Sequence, residues 1–224
     1  MGPYAKEEFL ACVIARLLAG SRHAAIGASS PIPATGCFLH QQKSADFRVS
    51  LQQRRAANPF TEGSRELFDL AGQGRIDTFF LGGAQIDGSA AINLVRADGR
   101  RFPGSFGSAF MYPMVKGTIL FREEHSRRTL VPKVEFVSAA GSPAALLTGR
   151  ALFTWQREKR RFRLESVHEP GDIGARTGFS YDAPAVVPLT PAPSPEDLDL
   201  LRGPVAKEMA INYPDFAKRV WGIN

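Results

Sequence analysis

Apolar residues recur at helical spacing near the start of the chain. Between Glu7 and Leu18 they lie three and four positions apart, which is the pattern of an amphipathic helix. A second helix is predicted over Ala34–Gln42, because the prolines in Gly27–Pro33 are expected to hold that segment in a loop. A third is predicted over Thr61–Ala71, with Thr61 as the N-cap.

Short apolar strands alternate with these helices. Strands separated by helical segments are typical of a parallel sheet in an α/β protein, so we predict an open, mostly parallel sheet flanked by helices. The predicted strands of this part are His23–Ile26, Phe47–Leu51 and Ile76–Leu81.

The pattern changes after a glycine-rich turn at Gly104–Ser108. A short apolar segment follows, and later two runs flank a basic turn, which predicts a hairpin. The segments are Ala109–Val115, strands Gly117–Phe121 and Lys133–Val137, and the hairpin strands Ala151–Trp155 and Arg161–Val167.

A proline-rich tail closes the sequence. Five prolines fall between Pro184 and Pro195, too many for a core element, so this segment is expected to follow the surface. A last helix is predicted to begin near Ser194, which is a good N-cap followed by proline at the first helical position. We therefore predict an α/β domain over residues 1–183, with residues 184–224 packing on the same domain as tail and terminal helix.

Composition narrows the class of protein. The chain has 224 residues, 44% of them hydrophobic and 22% charged, which excludes disorder over most of its length. No apolar run is long enough for a membrane span, and the first residues lack a signal-peptide layout. Cys12 and Cys37 form neither a metal motif nor a disulfide framework, so a cytoplasmic location is expected. The net charge of +6 suits a polyanionic ligand but is equally explained by solvated arginines.

General motifs of catalysis are missing from the sequence. It contains no phosphate-binding glycine motif, no nucleophile-elbow pattern and no H-E-x-x-H. The four histidines are scattered without ligand spacing, so no metal site is predicted. The basic turn lacks interleaved aromatic residues, so we expect no nucleic-acid partner. Because no apolar run is long enough for a membrane span, we expect no membrane partner either.

One strand ends in residues suited to a ligand. The run FFLGGAQID is an apolar strand that leaves through Gly82 and Gly83 and continues to Gln85 and Asp87. Ligands of open parallel sheets bind beyond the carboxyl ends of strands, where these residues are expected to lie. We predict that Gln85 and Asp87 form hydrogen bonds with a ligand or at an interface.

The order of several motifs resembles the B subunit of glutaconate-type, or family I, CoA-transferases. The matching pieces are EEFLACVIARLL, FFLGGAQID with Asn93, the GSFG turn, HSRRTLVPKVEFVSAAG, LESVHEPGD, TGFSYD and PLTPAPSPEDLDLLR. The resemblance implies the NagB/RpiA/CoA-transferase-like α/β fold and an A-type partner subunit, with the active site between the two. It also implies a coenzyme A thioester as substrate, with no permanently bound cofactor.

The resemblance makes position 50 decisive for which reaction the chain can support, because the family's catalytic glutamate lies there. Family members use a glutamate that attacks the thioester and then carries CoA, at the end of the strand after the first loop. Here that strand reads FRVSLQQ, so Ser50 stands at the glutamate's position, and no acid lies between Asp46 and Glu62. Serine without a neighbouring base is a poor nucleophile, and no histidine is nearby in the sequence.

Other family positions also differ. A glycine-rich turn of the family can face a developing oxyanion with its N–H groups. Here it reads Gly104-Ser105-Phe106-Gly107-Ser108, with Phe106 in place of a glycine. The resemblance thus assigns Gly82, Gly83, Gly104, Ser105 and Gly107, with Gln85 and Asp87, to binding of the CoA thioester.

Three functions are compatible with these residues. The first is a B-type subunit without the catalytic glutamate, in an enzyme of the hydrolase or lyase type like the branch that cleaves carbon–carbon bonds in CoA thioesters of ring degradation. The second is a true CoA-transferase that uses another acid, such as Glu62 or Glu66. The third is a non-catalytic binding subunit. A hetero-oligomer with an A-type subunit is expected, and a homo-oligomer is a further possibility.

Overall fold

The computed structural model describes residues 3–54, 60, 62–102, 104, 105 and 107–223. The architecture is α/β, with a mostly parallel central sheet flanked by helices, as predicted. The chain forms two compact units. The first contains residues up to Thr78 together with those from Ala192 onward, and the second contains Phe79–Pro191.

The first unit is mainly helical. Its two strands, β1 (His23–Ile26) and β2 (Arg48–Leu51), are parallel and pair His23 with Arg48 and Ile26 with Leu51. The elements, in chain order, are α1 (Lys6–Leu17), β1 (His23–Ile26), α2 (Pro31–Lys43), β2 (Arg48–Leu51), α3 (Ser64–Gly72), then α5 (Pro195–Leu200), a π-helical turn (Leu201–Val205), α6 (Ala206–Asn212) and α7 (Pro214–Trp221).

Helices α1 and α2 pack closely because of one glycine. The predicted apolar face of α1 is buried, and α2 crosses it at Gly36. A Cβ on Gly36 would lie 2.5 Å from Cγ2 of Ile14 and 2.9 Å from the carbonyl oxygen of Ala11, so only glycine permits this approach.

The start of α2 corrects one prediction. We expected Pro31 and Pro33 to keep their segment in a loop, but α2 begins at Pro31. Proline is tolerated in the first helical turn, because the N–H it lacks has no partner within the helix at those positions. Helix α3 begins at Ser64 with Gly63 as N-cap, and the predicted cap Thr61 lies outside the described residues.

The predicted last helix begins as expected, near Ser194. Ser194 caps α5: its Oγ accepts the N–H of Asp197, and the Asp197 carboxylate accepts the N–H of Ser194 in return. The π-helical turn that follows contains Pro204, which cannot donate to the regular helical ladder. The helix therefore widens at this point and continues as α6.

The second unit contains the remaining strands. Its elements, in chain order, are β3 (Thr78–Leu81), β4 (Gln85–Asp87), β5 (Ala91–Asn93), β6 (Arg96–Ala97), β7 (Arg100–Arg101), α4 (Ser108–Met114), β8 (Gly117–Arg122), β9 (Leu130–Val131), β10 (Ala139–Ala140), β11 (Ala145–Thr148), β12 (Ala151–Gln156), β13 (Arg161–Val167) and a 3₁₀ turn (Gly174–Arg176). One sheet has the strand order β13-β12-β11-β8-β3, in which β11 is parallel to β8 and antiparallel to β12, and β12 is antiparallel to β13. A smaller sheet has the order β10-β5-β4-β9, and β6 and β7 form a separate hairpin.

The predicted hairpin at the basic turn is present, whereas the predicted strand Lys133–Val137 is not. The latter lies between β9 and β10 without strand pairing. Two of its backbone N–H groups donate to side chains: Val134 to Oδ2 of Asp87 at 3.0 Å and Glu135 to Oε1 of Gln85 at 3.3 Å. Those side chains satisfy the backbone groups that a neighbouring strand would otherwise pair.

No helix within the described ranges has the length and apolar character that crossing a membrane requires.

Candidate active-site residues

Ser50 has a histidine partner that its sequence neighbourhood does not contain. Ser50 lies in β2 beside Ala25 of β1, and its side chain is 5% exposed. Its Oγ is 2.8 Å from Nε2 of His23, the first residue of β1. The two residues are 27 positions apart in the sequence and are brought together by the parallel register of the two strands.

The other ring nitrogen of His23 fixes the direction of this hydrogen bond. Nδ1 lies 2.9 Å from the carbonyl oxygen of Arg75, which can only accept, so Nδ1 carries the ring proton. In the neutral ring Nε2 is then an acceptor, and the hydroxyl of Ser50 donates to it. This is the arrangement in which histidine acts as a base toward serine.

The surroundings of His23 favour the neutral ring. Burial lowers the pKa of His23, and the guanidinium groups of Arg48 and Arg75 act in the same direction, against the Arg75 carbonyl and Asp77. The Asp77 carboxylate also fixes the start of β1, because its Oδ2 accepts the backbone N–H of His23 at 3.1 Å. A neutral imidazole is the form that can remove a proton.

A buried amide follows Ser50 two positions later. The backbone N–H of Gln52 donates to Ile26 at 3.1 Å, which extends the contact between β2 and β1. Its side-chain Nε2 is buried and has no hydrogen-bond partner among the described residues. An unsatisfied buried donor is costly and calls for a ligand or a function.

The acids proposed as alternative nucleophiles lie around the start of α3. The carboxylate of Glu62 is 68% exposed and 3.6 Å from the guanidinium of Arg65, and the backbone N–H of Glu62 donates to Oε2 of Glu66 at 3.5 Å. Glu62 thus faces solvent in the first unit.

Gly82 and Gly83 form the exit from β3. A Cβ on Gly83 would lie 2.8 Å from the carbonyl oxygen of Gln85, and one on Gly82 would lie 3.4 Å from that of Phe121. The backbone therefore turns tightly from β3 into β4 within the second unit. This packing requires glycine at position 83 whether or not a ligand approaches.

Gln85 belongs to a polar network in the second unit. Its Oε1 accepts from Nδ2 of Asn93 at 3.1 Å, and its Nε2 donates to the carboxylate of Glu135 at 3.3 Å. Asn93 and Gln85 are opposite each other in β5 and β4. Glu135, which the sequence did not single out, is the exposed member of the network.

Asp87 organises the turn between β4 and β5. Its Oδ1 accepts from the backbone N–H and the hydroxyl of Ser89 at 2.9 and 2.7 Å and from the N–H of Ala91 at 3.3 Å. Together with the bond from Val134 to Oδ2, these contacts use both carboxylate oxygens within the chain. Asp87 also borders a cavity of ≈ 560 Å³, to which Lys133 and Phe179 contribute.

The glycine-rich turn precedes α4. Gly104 and Gly107 have φ angles of +138° and +65°, which glycine adopts without strain. The carbonyl of Ser105 accepts the N–H of Ser108 at 2.9 Å, closing the turn. Phe106 lies outside the described residues.

The predicted site residues thus fall into two groups. Ser50 is in the first unit with His23, Arg75 and Gln52, whereas the glycines, Gln85 and Asp87 are in the second unit. Sequence reasoning missed His23. The feature of the sequence that could have identified His23 is its position at the start of a strand predicted to run parallel to the strand of Ser50.

Comparison with known proteins identifies the fold. No family model matches the chain. The B subunit of 3-oxoadipate CoA-transferase from Pseudomonas knackmussii is 28% identical over 61% of this chain, and the match spans 62% of that relative, less than two thirds of its length. Among solved structures, the decarboxylase AibA/AibB superposes with a TM-score of 0.78 at 22% identity, covering 97% of this chain and 99% of that one. Glutaconate CoA-transferase from Acidaminococcus fermentans gives 0.78 at 18% identity, covering 93% and 97%.

The chain has the fold of a family I CoA-transferase subunit. IpdAB from Rhodococcus jostii RHA1 has the same fold, with a TM-score of 0.75 at 21% identity and coverage of 90% and 94%. The resemblance predicted from the motifs is confirmed, and with it the predicted α/β fold.

Several residues of the motifs that resemble family I CoA-transferases have structural partners in this chain. In the TGF motif, Thr177 donates to the carbonyl of Ile173 at 2.8 Å and its Oγ1 lies 3.0 Å from Nε2 of His125. A Cβ on Gly178 would lie 2.3 Å from the carbonyl oxygen of Leu130, so the two backbones are in contact. Phe179 lies against Gly88. Thr177, Gly178 and Phe179 of this motif therefore contribute to packing within the second unit.

Proposed function

We propose that this chain is the B-type subunit of a two-subunit enzyme that acts on acyl-CoA thioesters without a glutamyl-CoA intermediate. The observation that carries the proposal is the composition of β2, in which the family glutamate's position holds Ser50 and the strand Arg48–Leu51 has no carboxylate. Glutamate is indispensable to CoA transfer because it is both nucleophile and carrier, and serine cannot form the anhydride that glutamate forms. Hydrolysis or a lyase-type reaction needs only a base and a donor for the oxyanion.

The comparisons support an acyl-CoA enzyme that is not restricted to CoA transfer. The family I fold includes a 3-oxoadipate CoA-transferase subunit and glutaconate CoA-transferase on one side and a decarboxylase, AibA/AibB, on the other. AibA/AibB and IpdAB are named as pairs, which supports an A-type partner for this chain. The coenzyme A thioester is the substrate in this proposal, and no permanently bound cofactor is part of it.

A true CoA-transferase is the second candidate. It requires an acid elsewhere, and Glu62 is the nearest after β2 in the sequence. Its solvent exposure and its ion pair with Arg65 weigh against it, because a transferase nucleophile must be excluded from competing water. A non-catalytic binding subunit is the third candidate and predicts that the complex turns over no thioester through residues of this chain.

Borohydride trapping distinguishes the three candidates. The chain is co-purified with its A-type partner, incubated with a panel of acyl-CoA thioesters, treated with borohydride and analysed by peptide mass spectrometry. Borohydride reduces a glutamyl-CoA thioester to an alcohol and marks the glutamate. We expect consumption of a thioester with no marked glutamate on this chain.

Two variants sharpen the experiment. A marked peptide that disappears in Glu62→Gln would restore the transferase and overturn the proposal. In Ser50→Glu, a mark on the tryptic peptide Val49–Arg54 is expected, because the new carboxylate stands at the family glutamate's position. No turnover of any thioester by the parent complex would favour the non-catalytic subunit.

A further inference from the structure

Three features occur at or just after the end of β2. Ser50 donates to a neutral histidine, that histidine is oriented by the carbonyl of Arg75, and a buried amide without a partner among the described residues follows at Gln52. A hydrogen bond between serine and histidine alone is common in structural roles. A buried amide donor without a partner, two residues further along the chain, is less common, because burial without a partner costs about 1–3 kcal/mol.

The geometry points to a serine acyl-transfer site, in which Ser50 is the nucleophile, His23 its general base and Gln52 a donor for the oxyanion. The inference rests on the proposed function, because it takes the acyl-CoA thioester as its substrate. It adds to that function a covalent intermediate on this chain, an ester of Ser50 in place of the family's glutamyl anhydride.

The chemistry balances without any added cofactor. Oγ of Ser50 attacks the thioester carbonyl while Nε2 of His23 takes the hydroxyl proton, and the carbonyl π electrons move onto oxygen. Collapse of the tetrahedral intermediate breaks the carbon–sulfur bond, and the CoA thiolate leaves with the proton from His23. Water then attacks the seryl ester while Nε2 of His23 takes a proton from it, and collapse breaks the bond between the acyl carbon and Oγ, which recovers that proton from His23. The products are the free acid and CoA, with Ser50 regenerated.

Arg75 and Asp77 act as positioning residues in this scheme. The Arg75 carbonyl holds the proton on Nδ1, so that Nε2 always faces Ser50, and the Asp77 carboxylate fixes the backbone of His23. A carbonyl oxygen stabilises the imidazolium less than a carboxylate does, so His23 is a weaker base than the histidine of a full triad.

The sequence supplies an unambiguous reporter of acylation. Trypsin cleaves after Arg48 and Arg54 and releases the peptide VSLQQR, in which Ser50 is the only side-chain hydroxyl and no carboxylate side chain occurs. Any acyl or phosphonyl mass on this peptide is therefore assigned to Ser50. The intact complex is treated in one arm with acyl-CoA thioesters and quenched with acid, and in another with a fluorophosphonate probe, whose fluoride leaves as the seryl phosphonate forms.

We expect the phosphonyl mass on Val49–Arg54 of the wild-type complex and none in Ser50→Ala. In His23→Gln the rate of labelling should fall by about 100-fold or more, the usual contribution of a general base. His40→Gln is the matched control: His40 is also a partly buried histidine, and its variant should label like the wild type. Thermal unfolding of each variant reports whether the fold is retained.

A second readout separates catalysis from a structural hydrogen bond. In Ser50→Cys, alkylation of the thiol by iodoacetamide should follow the titration of His23, whose charged neighbours are Arg48, Arg75 and Asp77. The same pH dependence should be lost when His23→Gln is added. A structural role predicts slow alkylation set by the thiol alone.

The outcomes separate this inference from the proposed function. Thioester turnover with an unmodified Val49–Arg54 peptide, or turnover that persists in Ser50→Ala, overturns the acyl-serine site and leaves the proposed function standing. Phosphonylation of Ser50 that depends on His23, without turnover of any acyl-CoA, supports the site and overturns the substrate class. Equal labelling in the wild type and His23→Gln overturns the role of His23.

Discussion

Arg202 donates two hydrogen bonds to the carboxylate of Glu8, from Nε to Oε1 at 2.8 Å and from Nη2 to Oε2 at 3.0 Å. Glu8 is 2% exposed, and it also accepts from the backbone N–H of Ala5 and from Nε1 of Trp221. Burial alone would raise the pKa of Glu8, but the contacts with Arg202, Ala5 and Trp221 outweigh it and lower that pKa. The pair connects the first helix with the terminal helices of the first unit.

Removing Arg202 should therefore destabilise the protein more than removing an exposed partner. Arg202→Ala leaves a buried carboxylate without its cation, which is expected to lower the free energy of unfolding by about 3 kcal/mol. Arg65→Ala is the control, because its pair with Glu62 is exposed and should contribute less than about 0.5 kcal/mol. Urea unfolding followed by circular dichroism measures both. Equal losses for the two variants would contradict the prediction.

Asp87 is expected to contribute to stability through its backbone acceptors. Asp87→Asn replaces one carboxylate oxygen, which accepts hydrogen bonds, with an NH₂ group, which donates them. That NH₂ group would face the backbone N–H of Val134 or of Ser89, so two donors would meet. The free energy of unfolding should therefore fall by about 1–3 kcal/mol. Ser89→Ala removes only the hydroxyl donor and should cost about 1 kcal/mol or less. Chemical unfolding compares them, and an unchanged midpoint for Asp87→Asn would count against this role.

Gly178 should tolerate no side chain. In Gly178→Ala the new Cβ would lie 2.3 Å from the Leu130 carbonyl oxygen and 3.0 Å from the ring of Pro132, and neither backbone can move freely. We expect a loss of about 3 kcal/mol or more in thermal unfolding. Gly171→Ala is the matched control, since no atom lies within 4 Å of its added Cβ. A melting temperature within a degree or so of the wild type would exclude the close contact.

The pH dependence of stability should contain a contribution from His125. Burial, together with Arg150, Arg176 and His168, lowers the pKa of His125 to about 4. Between that value and about 6.5 the unfolded chain binds the proton and the folded chain does not, so stability falls as the pH falls. The full loss, reached near pH 4, is about 3 kcal/mol.

Urea unfolding from pH 7.5 to pH 4 measures this contribution. In His125→Asn the slope between pH 6.5 and 4 should be smaller than in the wild type, although the variant is less stable at neutral pH. The hydrogen bonds between the two ring nitrogens of His125 and the hydroxyls of Thr148 and Thr177 give the reason for that lower stability. An identical slope in both proteins would show that other groups dominate.

Local sequence patterns identified the elements with strong periodicity. The sequence predicts strand His23–Ile26 with its observed bounds, and α1 and the hairpin strands to within a residue or two, because their apolar residues recur at regular spacing. The helix start at Pro31 was missed because proline was treated only as a breaker, although it suits a first turn. Lys133–Val137 was wrong because its backbone partners are side chains distant in sequence.

The candidate site was only half accessible to sequence reasoning. The order of the family's motifs identifies Ser50, because it assigns the catalytic position to this strand without any knowledge of which residues lie beside it in the fold. His23 was missed because contact with Ser50 depends on the register of two parallel strands, which no local window of residues contains. The unsatisfied amide of Gln52 likewise depends on where the polar groups of the described residues lie in space, which no local window of residues contains.

The division of the chain into units has a consequence for the order in which the protein folds. The first unit is assembled from two segments that are separated in the sequence by the whole of the second unit. During synthesis, Arg202 leaves the ribosome long after Glu8. The first unit can therefore be completed only after the whole of Phe79–Pro191 has been synthesised. We expect the second unit to form first on the ribosome, with α1 and α2 exposed until the terminal helices arrive.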